Sequence, residues 1–297
     1  MAEVVIVSSA DEAGTIAAGL IEKLVATVPD AVLGFATGST PLSTYAALAA
    51  RGLDLAAVRG FALDEYVGLP AGHPESYRAV IDREVVGPLG LLPANVRVPG
   101  DDGLPLDGAG ERYEADIHAA GGVDLQLLSI GRTGHIGFNE PGSSLASLTR
   151  VKTLTESTRI DNARFFDTLD QVPTHCITQG LGTILRARHL VLLAFGEAKA
   201  AAVAAALEGP VSASTPGSVV QLHPKVTVIL TSLRPRSWRT RTTTASPGTT
   251  GSTGSARGSR HRVVSPPPTA RSRCRRHPPT SPSGSLPTRW ASFVHPR

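Results

Sequence analysis

Three glycines bracket a histidine in Gly131-Arg-Thr-Gly134-His135-Ile-Gly137-Phe-Asn-Glu140-Pro141, and a carboxylate follows the histidine five residues later. Glycine lets the backbone turn tightly. An imidazole here can therefore sit in a narrow cleft with an acid able to orient it, the arrangement that proton transfer requires. A lone histidine usually serves packing, so the reading depends on its company. Asp64-Glu65-Tyr66 follows the apolar run Gly60 to Leu63. It offers a carboxylate pair at a strand end, which reads either as a base or as a helix cap or loop acid. Thr37-Gly38-Ser39-Thr40-Pro41 follows Val32 to Ala36. The amides of Gly38, Ser39 and Thr40 at a helix start can cradle an anion, and the same turn also reads as a plain cap. Gly196-Glu-Ala-Lys199 follows Phe195 and sets a cation in the first turn of a helix, where the helix dipole disfavours it. An anion at Lys199 would account for that, as would a solvated surface lysine.

The elements that must position these loops are legible as alternating patterns. Val4 to Val7, Val32 to Ala36, Gly60 to Leu63, Leu125 to Ile130, His189 to Phe195 and Val226 to Leu230 read as buried strands. Helical spacing runs through Asp11 to Ala26, Pro41 to Arg51, Glu75 to Val86, Gly108 to Ala120 and Glu197 to Leu207. Strand–helix alternation predicts an α/β fold, a doubly wound, mostly parallel sheet of modified Rossmann-like type with helices on both faces. In such a sheet ligands bind beyond the carboxyl ends of the strands. All four loops lie on that edge, which shifts His135 toward catalysis.

Composition narrows the class. The 297 residues with 41% hydrophobic content suit a soluble globular protein with a sizeable core. The amino terminus does not read as a signal peptide, no apolar run is long enough to span a bilayer, and two cysteines give neither a disulfide framework nor a zinc pattern. A cytoplasmic protein with no membrane partner and no bound metal is expected. The net charge of +4 conceals two segments: residues 231–297 hold 13 Arg and no Lys, Asp or Glu, which leaves 16 basic against 25 acidic residues before Thr231. The basic pI thus belongs to the ending and gives no reason to expect specific nucleic-acid binding by the body. Two regions follow: residues 1–230, an α/β domain, and residues 231–297, an Arg/Pro/Ser/Thr-rich tail predicted to be disordered.

The residues also match a family. Phe61-Ala-Leu-Asp64-Glu65-Tyr66-Val-Gly68-Leu with His73-Pro-Glu-Ser-Tyr77, and Gly134-His135-Ile-Gly-Phe-Asn139-Glu140-Pro141 with Ser143-Ser144-Leu-Ala-Ser147, resemble glucosamine-6-phosphate deaminase. So do Thr158-Arg159 with Asn162-Ala-Arg164-Phe-Phe-Asp167, Gln171-Val-Pro173 and Gln221-Leu-His-Pro-Lys225, from the first strand to about Leu230. Phosphogluconolactonases share the fold and a Gly-His element, but not the Asn139-Glu140-Pro141 continuation or the Asp64-Glu65-Tyr66 run.

The resemblance implies a cofactor-free enzyme of amino-sugar catabolism. Glucosamine 6-phosphate and water would become fructose 6-phosphate and ammonia, a hydrolase-type deamination coupled to isomerisation. It implies that His135 opens the sugar ring with Glu140 orienting it, that Asp64 moves a proton from C2 to C1, and that Gly38, Ser39, Thr40, Arg164 and Lys199 hold the phosphate. Ser143, Ser144, Arg150 and Lys152 match positions that in allosteric members bind the phosphate of the activator N-acetylglucosamine 6-phosphate between subunits. A homo-oligomer, hexameric in some members, is expected with an intact carboxyl terminus. Arg150 and Lys152 also alternate like the exposed face of a strand.

The chain departs from the family pattern twice. Thr133 stands where members often carry an acid directly before the Gly-His pair, leaving Glu140 as the acid partner within the motif. From Thr231 onward nothing resembles the family's helical, mixed-charge ending, and the composition is that of high-GC coding sequence read out of frame. The strand Val226 to Leu230 is then expected to lack its covering helix. Other readings on this scaffold are a different sugar-phosphate isomerase or lactonase, and a non-catalytic sugar-phosphate sensor.

Overall fold

A computed structural model describes residues 2–231 and the backbone of the short strand Arg262–Val264. The chain runs β1 (Ala2–Val7), α1 (Ala10–Thr27), β2 (Val32–Phe35), α2 (Leu42–Ala49), β3 (Arg59–Ala62) and β4 (Asp64–Val67). Next come α3 (Tyr77–Ile81), a π-helical turn over Asp82–Val86, α4 (Gly87–Leu89), β5 (Val96–Arg97), α5 (Ala109–Ala119) and β6 (Leu125–Ser129). Then follow β7 (Arg150–Thr153), α6 (Glu156–Asn162), β8 (His175–Thr178), α7 (Leu181–Ile184), β9 (Leu190–Ala194), α8 (Ala200–Leu207), β10 (Val226–Thr231) and β11 (Arg262–Val264).

Eight strands form the main sheet in the order β11-β1-β10-β9-β6-β2-β3-β5. All pairs from β1 to β5 are parallel and only β11 runs antiparallel, on β1. Every residue of β2 and of β9 is buried, so both faces of the sheet are covered, as continuous apolar runs require. The doubly wound α/β expectation holds, with strand and helix ends differing by a residue or two. Helix α1 begins where Ser9 accepts the amide of Glu12, an N-cap that its first-turn acids Asp11 and Glu12 reinforce.

Three features were not anticipated. The helical run Glu75 to Val86 is divided, because the π-turn Asp82–Val86 interrupts it before left-handed Gly90 ends α4. A second, antiparallel sheet, β4-β8-β7, adjoins the first, with Asp64 opposite Thr178. Its strands are four residues long and mix polar with apolar residues, so no apolar run marked them. Third, β10 is an interior strand between β1 and β9, and Val226, Val228, Ile229 and Leu230 are all buried. The expectation of an uncovered strand is therefore corrected. Within the segment predicted to be disordered, Arg262–Val264 is a strand on β1, and the rest of that expectation lies outside the described residues.

Candidate active site

The carboxyl ends of the parallel strands open onto a cleft of about 580 Å³. Gly38, Ser39, Thr40, Asp64, His135, Arg164 and Lys199 all line it, so loops more than 150 residues apart in the chain converge on one site. Glu140 lies behind His135 and is buried.

Asp64 stands where the chain crosses from the main sheet into the second one, with only Leu63 between β3 and β4. That crossing is held rigidly. Ala62 O accepts the Tyr113 hydroxyl at 2.7 Å and Gln179 Nε2 at 3.0 Å, and Leu63 O accepts Gln179 N at 2.8 Å. Asp64 is therefore a buried strand residue rather than a helix cap or loop acid. Burial pushes its carboxyl up to about 8, and the neighbouring Glu65 charge adds to the rise. Glu65 has other work: its carboxylate accepts the amides of Tyr66, Tyr77 and Arg78 at 2.6, 2.8 and 2.8 Å, tying β4 to the start of α3. The apparent carboxylate pair thus divides into one group facing the cleft and one structural clamp.

His135 is seated by its glycine loop. Gly131 N donates to His135 O at 2.9 Å, and a Cβ on Gly131 would lie 2.1 Å from the imidazole Cε1, so only a glycine leaves the ring its place. Nδ1 of the ring meets Thr133 Oγ1 at 2.9 Å and Glu140 Oε2 at 3.5 Å. Glu140 Oε1 accepts the hydroxyls of Thr155, at 3.2 Å, and of Thr158. Burial raises the Glu140 carboxyl, yet hydrogen bonding with His135 and Thr158 outweighs it and holds the group below the usual carboxylate range. Glu140 is accordingly a buried anion aimed at the back of the imidazole.

The residues expected to hold a phosphate come from three elements. Gly38 has φ of 87°, a left-handed conformation that favours glycine, and it bends the chain between β2 and α2. Tyr45 of α2 donates to Ala36 O at 2.7 Å, strapping the helix to the strand on either side of Thr37–Thr40. Lys199 ends a 3-10 turn over Glu197–Lys199 that leads into α8. It is half-buried, and burial lowers its pKa against the pull of Asp161. Arg164 lies over the Phe165 ring at 4.7 Å from its centre.

Ser143, Ser144, Arg150 and Lys152 sit away from this lining. Ser143 is buried, Ser144 is exposed, and Arg150 and Lys152 are half-buried on β7. Arg150 Nη1 donates to Asn139 Oδ1 at 2.8 Å, which links it to the loop carrying His135. Sequence reasoning gave no role to Arg132, Asp161 or Tyr77, all of which line the cleft. Tyr77 belongs to an aromatic cluster with Tyr66 and Phe138, at ring separations of 4.7 and 5.9 Å, beside the catalytic candidates. Arg132 and Asp161 read as ordinary charges and Tyr77 as one member of a longer motif, and only the fold brings them to the site.

The family described as glucosamine-6-phosphate isomerases/6-phosphogluconolactonase matches residues 8–229. A glucosamine-6-phosphate deaminase of Bifidobacterium longum (strain DJO10A) is 60% identical over 243 residues, covering 77% of this chain and 90% of the relative. A glucosamine-6-phosphate deaminase of Streptomyces avermitilis is 59% identical over 233 residues, covering 77% and 89%. Among solved structures, a monomeric glucosamine-6-phosphate deaminase aligns with TM-score 0.75 and 39% identity, covering 77% of this chain and 97% of the other. The 6-phosphogluconolactonase of Thermotoga maritima aligns with TM-score 0.62 at 18% identity, covering 78% and 99%, a likeness of fold alone.

Proposed function

The chain belongs to the glucosamine-6-phosphate isomerase/6-phosphogluconolactonase family, and on that premise we propose that it converts glucosamine 6-phosphate and water into fructose 6-phosphate and ammonia. One observation carries the reading: the buried Asp64 carboxylate, which burial pushes up to about 8, shares a cleft with an oriented imidazole and a group of cations. Proton abstraction next to a carbonyl needs a base of that strength, and a phosphate at the far end of the sugar supplies positioning energy remote from the reacting carbons.

In this mechanism His135 takes the proton from the anomeric hydroxyl and gives it to the ring oxygen, which opens the pyranose. Glu140 holds the imidazole from behind, its Oε2 3.5 Å from Nδ1. Asp64 then removes the C2 proton, generating an enolamine, and returns a proton to C1. The resulting C2 imine adds water and expels ammonia, leaving the ketone of fructose 6-phosphate. Gly38, Ser39, Thr40, Arg164 and Lys199 hold the phosphate throughout. The test is product analysis with purified protein. Ammonia and fructose 6-phosphate released from glucosamine 6-phosphate support the reading. No ammonia, together with hydrolysis of 6-phosphogluconolactone, would replace it with a lactonase.

The same proposal places the reaction in residues 1–230, in a cytoplasmic pathway of N-acetylglucosamine catabolism. Among the described residues no helix is long and apolar enough to cross a membrane. Ser143, Ser144, Arg150 and Lys152 are proposed to bind the phosphate of N-acetylglucosamine 6-phosphate as activator in a homo-oligomer. The hydrogen bond from Arg150 to Asn139 supports this, since it joins that position to the His135 loop.

A further inference from the structure

Arg132 belongs to the glycine loop, two residues before Gly134, and lines the cleft. Its guanidinium is ion-paired with Asp161 of α6, which also lines the cleft and precedes Arg164 by three residues. Both side chains keep solvent access, at 60% and 35% of their full exposure, so either can change partner without burying a lone charge. Asp161, Arg132 and Arg164 are also the charges acting on Lys199: the carboxylate favours its ammonium form, and the two guanidinium groups oppose it. Three cations and one anion therefore gather around Lys199 in the cleft that Gly38, Ser39 and Thr40 also line.

We propose that Arg132 is a third cationic ligand for the substrate phosphate, and that Asp161 is a placeholder which the phosphate displaces from Arg132. This rests on the reading of the cleft as a sugar-phosphate site. An arginine fork accepts a phosphate in the geometry in which it accepts a carboxylate, so the exchange keeps the Arg132 hydrogen bonds while the bound anion gains charge. Near pH 7 a phosphate monoester carries close to two negative charges, against one on Asp161. Asp161 opposes an incoming anion in proportion to its charge and the three cations attract it in the same proportion, so their net attraction is larger for a dianion than for a monoanion. The pair thereby acts on KM rather than on the chemical step.

The experiment compares wild type, Arg132→Gln, Arg132→Lys and Asp161→Asn by steady-state kinetics with glucosamine 6-phosphate and by calorimetry with inorganic phosphate. Arg132→Gln is expected to raise KM and the phosphate Kd about tenfold, with kcat changing less than about threefold, and Arg132→Lys to fall between. Asp161→Asn is expected to lower both constants by about twofold to fivefold. The opposite signs identify the role, because a merely structural ion pair would be damaged in the same direction from either end. Unchanged phosphate affinity in Arg132→Gln, or weaker phosphate binding in Asp161→Asn, overturns the proposal. Should the wild type release no ammonia, the substrate reading fails while the phosphate calorimetry still decides the role of Arg132.

Discussion

Thr133 Oγ1 lies 2.9 Å from His135 Nδ1, nearer than Glu140 Oε2, which approaches the same nitrogen at 3.5 Å. A hydroxyl therefore fills the place behind the imidazole where an acid was expected. It can accept a hydrogen bond that Nδ1–H donates and so leave Nε2 free to move protons, without adding a charge to a site that already holds Asp64 and Glu140.

From that contact, Thr133→Ala is expected to lower kcat about threefold to tenfold by loosening the ring, with KM little changed. Thr133→Ser, which keeps the hydroxyl, should retain most of the turnover. Equal rates for wild type and Thr133→Ala would show that Glu140 alone orients His135.

Asp64 makes a pH prediction with two signs. The base must be ionised, so kcat/KM should rise with pH through about 8, the free-protein value. The substrate ammonium beside C2 should draw the bound value lower, so kcat should level off at a lower pH than kcat/KM. Stability runs the other way. The folded carboxyl holds its proton above the unfolded pKa, so between about pH 4 and 8 the unfolded state binds fewer protons and stability falls as pH rises. Asp64→Asn removes that burden. It should abolish ammonia release while raising the thermal midpoint at pH 8 by several degrees, on the order of 2–4 °C per kcal/mol for a domain of this size. Retained turnover, or a lower midpoint, would contradict the assignment.

Gly131→Ala separates activity from folding. The three atoms nearest the new methyl all belong to the imidazole of His135, the end of a side chain that can rotate away rather than backbone. The thermal midpoint should stay within a few degrees of wild type, while kcat/KM falls by about 100-fold or more as the ring leaves its seat. A normal rate in this variant would mean that the ring position is not critical.

The legible parts of this protein are those written as local patterns. Buried parallel strands are continuous apolar runs, so β2, β6, β9 and β10 could be placed closely, and their order along the chain put Gly38, Asp64, His135 and Lys199 on one edge. The glycine loop announced His135 through its spacing. What remained hidden was set by distant partners. The burial of Asp64 depends on β8 pairing with β4, a contact between residues more than 100 positions apart, and β4 itself carries no apolar run. Glu65 could not be told from Asp64 by position, because the amides that occupy it belong to α3. Arg132 and Asp161 carry ordinary surface charges, and only the approach of α6 to the glycine loop makes them neighbours.

Arg150 supplies the last prediction, because its two proposed roles give different outcomes. Its guanidinium satisfies Asn139 Oδ1 at 2.8 Å, while Asn139 Nδ2 donates to Ile136 O and Gln179 O at 3.0 and 2.8 Å. Asn139 thus joins the His135 loop to the backbone that holds Asp64, and Arg150 is the third fastening of that joint. Arg150→Ala would leave a buried carbonyl oxygen without its partner, at a cost of about 1–3 kcal/mol. The thermal midpoint should fall by several degrees, and kcat should drop even with no activator present. If Arg150 serves only to bind N-acetylglucosamine 6-phosphate, basal kcat and stability will instead match wild type and only the response to that sugar phosphate will vanish. Substrate curves that superimpose with and without the acetylated sugar phosphate in the wild type would remove the activator site and leave Arg150 as a structural fastening of the catalytic loop.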